Sequence, residues 1–263
     1  MGADDGADGE DDLVVAGGGV AHNRVTSLLL QVYDGTSVPP PNHPCEVLAG
    51  DSHIAEELLG LTFTVSADSF FQVNSGAAEL LYSKVREWAA PGPKAALLDV
   101  CCGTGTIGLT MATAAARVVG VDMSAPGIED AKRNAAANGV TNATFLCSKA
   151  EDAMKQLVAA GAAGDGEAEF VGVVDPPRGG LHPNVTRALR TCKGLERLVY
   201  VSCNPMGSFI ADCVKLCAPK EAGSRSVMRG PPFRLVKAVP VDLFPQTAHT
   251  ELVALFERVG GDE

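Results

Sequence analysis

An open α/β sheet, mostly parallel and covered on both faces, is predicted by three features of the 263-residue sequence. Short apolar runs alternate with helix-patterned stretches from about Asn74 onward, and that alternation is what crossover-connected parallel strands require. Several of these runs end in loops rich in glycine, proline or acid, where an open sheet of this kind holds its ligands. The last two apolar runs have no long helix between them, so they are expected to close the sheet as an antiparallel hairpin.

In chain order, residues 1–12 read as a disordered acidic tail, because six acids (Asp4, Asp5, Asp8, Glu10, Asp11, Asp12) stand there without a base. Residues 13–73 read as a short N-terminal segment, with a strand-like run from Val25 to Tyr33 broken by Pro39-Pro40-Pro41, and as the remnant of an upstream domain. The main domain is expected over 74–259. Ser75 is placed to cap a helix carrying Leu81, Val85 and Trp88 on one face, which Pro91-Gly92-Pro93 ends. Ala95–Val100 reads as a buried strand, Gly103–Ala116 as a loop and helix, and Arg117–Asp122 as the next strand. Ser124 caps a helix that Asn138-Gly139 stops. Ala143–Cys147, Phe170–Val174 and Leu198–Cys203 are further strands, and Phe233–Phe244 with Glu251–Phe256 form the hairpin.

The net charge of -11 argues against a nucleic-acid binder acting through its whole field, although the body outside the tail is only mildly acidic. Any RNA contact must come from local bases. Arg178, Arg187, Arg190 and Lys193 are the candidates near the crevice, beside the stretch Arg225, Arg229, Arg234 and Lys237. None of the eight cysteines makes a C-x-x-C pair, and Cys213 and Cys217 have no matching histidine cluster, so no metal site is expected. No signal peptide or membrane-spanning run is read, and a reduced intracellular compartment, cytoplasmic or nuclear, is expected.

Three loops carry chemistry. The first is Cys101-Cys102-Gly103-Thr104-Gly105-Thr106-Ile107-Gly108, followed by Asp122 at the end of the next strand. Its glycines permit a tight turn and close ligand approach, and the acid can accept hydrogen bonds from a ribose diol. This pattern alone fits a dinucleotide enzyme and a methyltransferase equally. The second loop, Asp175-Pro176-Pro177-Arg178, ends a strand with rigid extended backbone and suits placement of Asp175 and Arg178 against a ligand. The third, Ser202-Cys203-Asn204-Pro205, puts a cysteine at a strand tip. By position alone Cys203 is as well explained as a core thiol as a nucleophile. Its shared edge with the other loops, and Glu251 after the polar stretch Asp242–Thr250, favour the second view.

Together these segments, with Ser69-Phe70-Phe71-Gln72-Val73-Asn74, resemble the RNA uracil-5-methyltransferase family, in its eukaryotic tRNA branch. They fall in the family's order and span roughly Val25 to Val259. The resemblance implies a Rossmann-like S-adenosylmethionine-dependent methyltransferase fold with a C-terminal antiparallel hairpin, the catalytic domain being 74–259. It implies that Cys203 is the nucleophile and Glu251 the proton acceptor. Gln72, Cys101, Gly103, Thr106, Asp122 and Asp175 would line the S-adenosyl-L-methionine site, and Arg178 would touch the uracil. The implied partner is RNA, with the T-loop uridine of tRNA as target.

The chemistry accounts for the residue types. Carbon 5 of uracil is too weakly nucleophilic to attack a sulfonium methyl, whereas thiolate addition at carbon 6 enriches it. A base must then remove the carbon 5 proton. Two other readings stand beside this one: a nicotinamide oxidoreductase, resting on the glycine pattern, and a truncated homologue of weak activity that serves as an RNA-binding module.

Overall fold

The computed structural model describes residues 25–36, 39–40, 43–154, 169–219 and 230–260. The acidic run 1–12, Arg225 and Arg229 lie outside the described residues. The chain divides into two compact units, Met1–Ile54 and Ala55–Glu263. In the first, β1 (Ser27–Leu30) pairs antiparallel with β2 (Glu46–Gly50), with a bulge between Leu28 and Leu29. The strand is shorter than the expected run Val25 to Tyr33.

Strands β3 (His53–Leu58) and β4 (Leu61–Ser66) form a hairpin around Leu59 and Gly60, both at positive φ (51° and 78°), as tight two-residue turns demand. The backbone of β4 is satisfied by side chains from far along the chain. Thr64 N–H donates to Asn134 Oδ1 (2.7 Å) and Thr62 N–H to Asn138 Oδ1 (2.9 Å). Leu58 and Phe63 are fully buried in the core.

Helix α1 (Ser75–Ala89) buries Leu81, Val85 and Trp88 as the periodicity predicts, together with Tyr82. Its cap is Asn74, not Ser75. Asn74 accepts the Ala77 N–H (3.1 Å), while Ser75 Oγ donates to Glu56 (3.2 Å). Both residue types cap well, and Asn74 prevails because its amide also donates to the Leu243 carbonyl (3.2 Å).

The central sheet has seven strands: β5 (Ala96–Val100), β6 (Arg117–Asp122), β7 (Ala143–Cys147), β8 (Phe170–Val174), β9 (Leu195–Ser202), β10 (Phe233–Val241) and β11 (Glu251–Arg258). Their order is β10-β11-β9-β8-β5-β6-β7. The five strands from β9 to β7 are parallel, and β11 is antiparallel to both β9 and β10. The C-terminal hairpin is therefore as expected. Every residue of β5 and β8 is buried, which suits strands covered on both faces.

Helices α1, α2 (Thr106–Thr110) and α3 (Ala125–Ala137) supply one apolar layer, with Leu97, Val199 and Val253 from the sheet. α5 (Pro183–Thr191) and α6 (Ser208–Cys217) supply the other, with Leu98, Tyr200 and Phe256; the described part of α4 is 150–154. α2 is shorter than the expected helix and passes into a 3₁₀ turn at Ala112–Ala114. Ser124 caps α3 by accepting the Gly127 N–H (3.2 Å), and Asn138 ends it, with Gly139 at φ 65°. From β5 the chain winds outward through β6 and β7, then returns to place β8 on β5's other side. The strand order thus reverses between β5 and β8, and a crevice opens at their carboxyl ends.

Candidate active site

A cavity of about 860 Å³ occupies that carboxyl edge. All nine residues singled out in the sequence line it: Gln72, Cys101, Gly103, Thr106, Asp122, Asp175, Arg178, Cys203 and Glu251. Strand ends place most of them. Cys101 follows β5 in a left-handed conformation (φ 65°), its N–H bonded to the Val121 carbonyl (2.9 Å). Asp122 ends β6 and accepts the Gly103 N–H (3.0 Å) and the Ser124 N–H (2.8 Å). Asp175 follows β8, its N–H reaching Val100 O (3.2 Å). Gln72, 6% exposed, comes from the segment before α1.

The three glycines of the loop differ in duty. A Cβ on Gly105 would meet Phe145 at 2.9 Å, and one on Gly108 would meet Asp99 at 2.8 Å, so these two permit close packing. A Cβ on Gly103 would meet nothing within 4 Å. Gly103 faces open cavity, and a bare backbone there leaves room for a ligand beside the Asp122 carboxylate. The loop therefore leaves room for an adenosine-type cofactor beside an acidic side chain.

Cys203 and Glu251 meet across two antiparallel strands. The β9–β11 ladder ends with Ser202 opposite Leu252, and Cys203 and Glu251 are the next residues on either side. Cross-strand neighbours of this kind hold their side chains close on one face. Glu251 is 3% exposed; burial pushes its carboxyl up to about 6, against a downward pull from Arg178. Among the described residues its buried Oε2 has no hydrogen-bond partner. Burial also raises the Cys203 thiol, helped by Glu251 and Asp175 and opposed by Arg178. Asp175 is held well above the usual carboxylate range by burial, then by Glu251 and Asp99. Behind them Asp99 is fully buried and pushed up to about 7 by burial, with Asp122 adding to it.

Two further thiols, Cys101 and Cys102, line the cavity. Burial pushes Cys101 up to about 12, with further push from Asp122, Asp175 and Asp99, and burial raises Cys102 as well, with Asp99 and Asp122 adding to it. Cys203 is half-buried, and the Arg178 charge opposes the rise of its thiol.

Tyr82, Phe71, Phe244, His249 and Lys149 also line the cavity and were not anticipated. Tyr82 is 3% exposed, and burial raises its hydroxyl, with Asp175 adding to the rise. It stands in the apolar face of α1, where the pattern reads as core. Among the bases expected near the crevice, Arg190 requires correction. It is fully buried, and its guanidinium donates to the carbonyls of Lys215 and Gly230 (both 2.8 Å), so it presents nothing to a phosphate. Among the described residues, no group of three or more His, Cys, Asp or Glu is arranged to hold a metal ion, and no helix is long and apolar enough to cross a membrane.

The strand order, the glycine loop after β5 and the terminal hairpin define a Rossmann-like S-adenosylmethionine-dependent methyltransferase fold. The Pyrococcus abyssi tRNA (uracil-54, C5)-methyltransferase, solved with S-adenosyl-L-homocysteine, matches with a TM-score of 0.66 and 30% identity, over 88% of this chain and 50% of that one. Residues 54–217 match the tRNA (Uracil-5-)-methyltransferase family. The chain is 49% identical over 219 residues to tRNA (uracil-5-)-methyltransferase homolog A of Homo sapiens, covering 82% of this chain and 33% of that protein. It is 43% identical over 235 residues to homolog B of Mus musculus, covering 89% of this chain and 47% of that protein. The chain belongs to the tRNA (uracil-5-)-methyltransferase family. It spans between a third and a half of the length of these two curated relatives.

Proposed function

We propose that this protein methylates carbon 5 of a uridine in tRNA, the T-loop uridine, from S-adenosylmethionine, inside the cell. The observation that carries the reading is the placement of Cys203 and Glu251 on adjoining strand ends, opening onto the same cavity as the glycine loop. Residues 74–259 form the catalytic domain in this reading.

Cys203 acts as a thiolate and adds to carbon 6, breaking the carbon 5–carbon 6 double bond and moving its electron pair toward carbon 5 and the carbonyl. Arg178 favours the thiolate by its charge and lines the same cavity, and in this reading it donates to a uracil carbonyl. S-adenosylmethionine supplies an electrophilic methyl group on its sulfonium. Gln72, Cys101, Gly103, Thr106, Asp122 and Asp175 would hold it, with the Asp122 carboxylate accepting from the ribose hydroxyls. Glu251 then accepts the carbon 5 proton; the electron pair re-forms the double bond and expels Cys203 as thiolate. A carboxyl raised to about 6 is ionised at neutral pH and more basic than a solvated one. The uridine must leave its stack to reach a cavity floor of this kind.

Incubation of the chain with unmodified tRNA and labelled S-adenosylmethionine, followed by mass spectrometry of the nucleosides, tests the reading. Labelled 5-methyluridine is expected. Label in cytidine or adenosine, or none in any nucleoside, would overturn it.

A further inference from the structure

Asp212 on α6 is 1% exposed and takes no part in the chemistry above, yet its carboxylate gathers three donors. Oδ2 accepts the Leu181 N–H (2.6 Å) and the Tyr200 hydroxyl (2.9 Å), and Oδ1 accepts Lys215 Nζ (2.9 Å). Tyr200 is fully buried in β9, the strand that ends beside Cys203. Leu181 closes the turn that carries Arg178. That turn is completed by the Gly180 N–H to Pro177 O bond (2.8 Å). Gly180 adopts φ 79°, and a Cβ there would lie 2.5 Å from Asp212 Oδ2. The turn is thus seated directly on the carboxylate. At its middle, the Arg178 carbonyl accepts a bond from Asn204 Nδ2 (3.2 Å), and Asn204 is the residue after Cys203.

We propose that Asp212 is a positioning residue for Arg178: by holding Leu181 and Tyr200 together it locks the Pro177–Leu181 turn against β9, so that the guanidinium stays beside Cys203 and Glu251. Pro177, Arg178 and Gly179 are exposed, so the turn has little burial of its own to hold it. Its place depends on the bonds at Asp175, Asn204 and Asp212. A carboxylate serves because bonds to an ionised acceptor are roughly twice as strong as neutral ones, and three donors converge here.

The inference rests on the proposed roles of Cys203 and Arg178, and its test uses neither RNA nor cofactor, so failed methylation leaves it standing. The alkylation rate of Cys203 is followed against pH in the full chain by mapping the Cys203 peptide. Arg178→Ala raises the pH midpoint, since the thiolate loses its cation. Asp212→Asn is expected to raise it by the same amount, and the double variant no further. Loss of a negative charge acting alone would lower the midpoint, and a purely structural Asp212 would leave it unchanged; either result overturns the proposal. If Asp212→Asn does not fold, Tyr200→Phe decides, because it removes one of the three donors and keeps the ring packed on Phe209. A smaller upward shift supports the proposal, and no shift overturns it.

Discussion

Cys203 and Glu251 occupy facing positions just beyond the last paired rung, Ser202 with Leu252, of an antiparallel ladder. The sheet's parallel part could not make this arrangement, since parallel neighbours come from strand ends on the same side of a crossover. The reversed strand β11 starts where β9 stops, and so brings a carboxylate from the start of one strand to a thiol at the end of another. Burial raises each group, and the charge of Glu251 adds to the rise at Cys203.

Replacement of Cys203 by alanine is expected to abolish methylation and to leave cofactor affinity nearly unchanged, because the thiol acts on the base. An RNA carrying 5-fluorouridine should form a lasting adduct with the parent protein, fluorine being unable to leave carbon 5 as a proton does. Peptide mapping should place that adduct on Cys203. Attachment at Cys101 or Cys102 would show that the wrong thiol had been assigned.

Asp122→Ala removes the acceptor of both the Gly103 and Ser124 N–H groups as well as the proposed ribose acceptor. Loss of a charged hydrogen-bond partner costs about 1.5–3 kcal/mol, so affinity for S-adenosylmethionine should fall roughly tenfold or more. Calorimetric titration measures it directly. An unchanged dissociation constant would remove Asp122 from the cofactor site.

Acid should slow turnover through Glu251. Its carboxyl is raised to about 6, so the base is lost as pH falls through that value. The elimination step, followed by decay of the covalent adduct, should decline toward acid with a midpoint near 6. Arg178 pulls the Glu251 carboxyl down, so Arg178→Ala should move this midpoint upward. A midpoint that stays in the ordinary carboxylate range would contradict the buried placement.

Stability should carry a separate signature of Asp99. Its carboxyl rises from an ordinary 3.8 to about 7 in the fold, so the folded state binds the proton more tightly than the unfolded chain. That contribution is fully present below the unfolded value and is lost as pH rises through the folded one. The Tm difference between Asp99→Asn and the parent should therefore change in the variant's favour between about pH 4 and 7. For a chain of this size each kcal/mol moves Tm by roughly 2–4 °C, so calorimetry at three pH values suffices. A constant difference would show that Asp99 is ionised throughout.

The strands that build the site were legible because each is a short apolar run stopped by glycine, proline or acid. Arg117–Asp122, Ala143–Cys147 and Phe170–Val174 have the bounds that the pattern predicts. Long-range partnership was not legible. Nothing near Thr62 or Thr64 announces that Asn138 and Asn134 will satisfy their backbone, so the sequence does not separate the hairpin β3–β4 from the rest of the segment 13–73. Tyr82 falls on the same helical stripe as Leu81 and Val85, and only the fold shows that its hydroxyl reaches the cavity. Arg190 looks like surface on α5 until tertiary packing surrounds it. Choosing Asn74 over Ser75 as a cap depended on Leu243, at the far end of the chain.

The most direct test of the Cys203–Glu251 pairing is the Glu251→Gln protein mixed with tRNA and S-adenosylmethionine labelled in its methyl group. Addition and methyl transfer do not need the base, whereas elimination does. A slow-migrating protein–RNA species carrying the methyl label should accumulate on a denaturing gel, with free 5-methyluridine nearly absent. Failure to form any adduct, in a variant that folds and binds the cofactor, would contradict the assignment and give Glu251 an earlier role than proton removal.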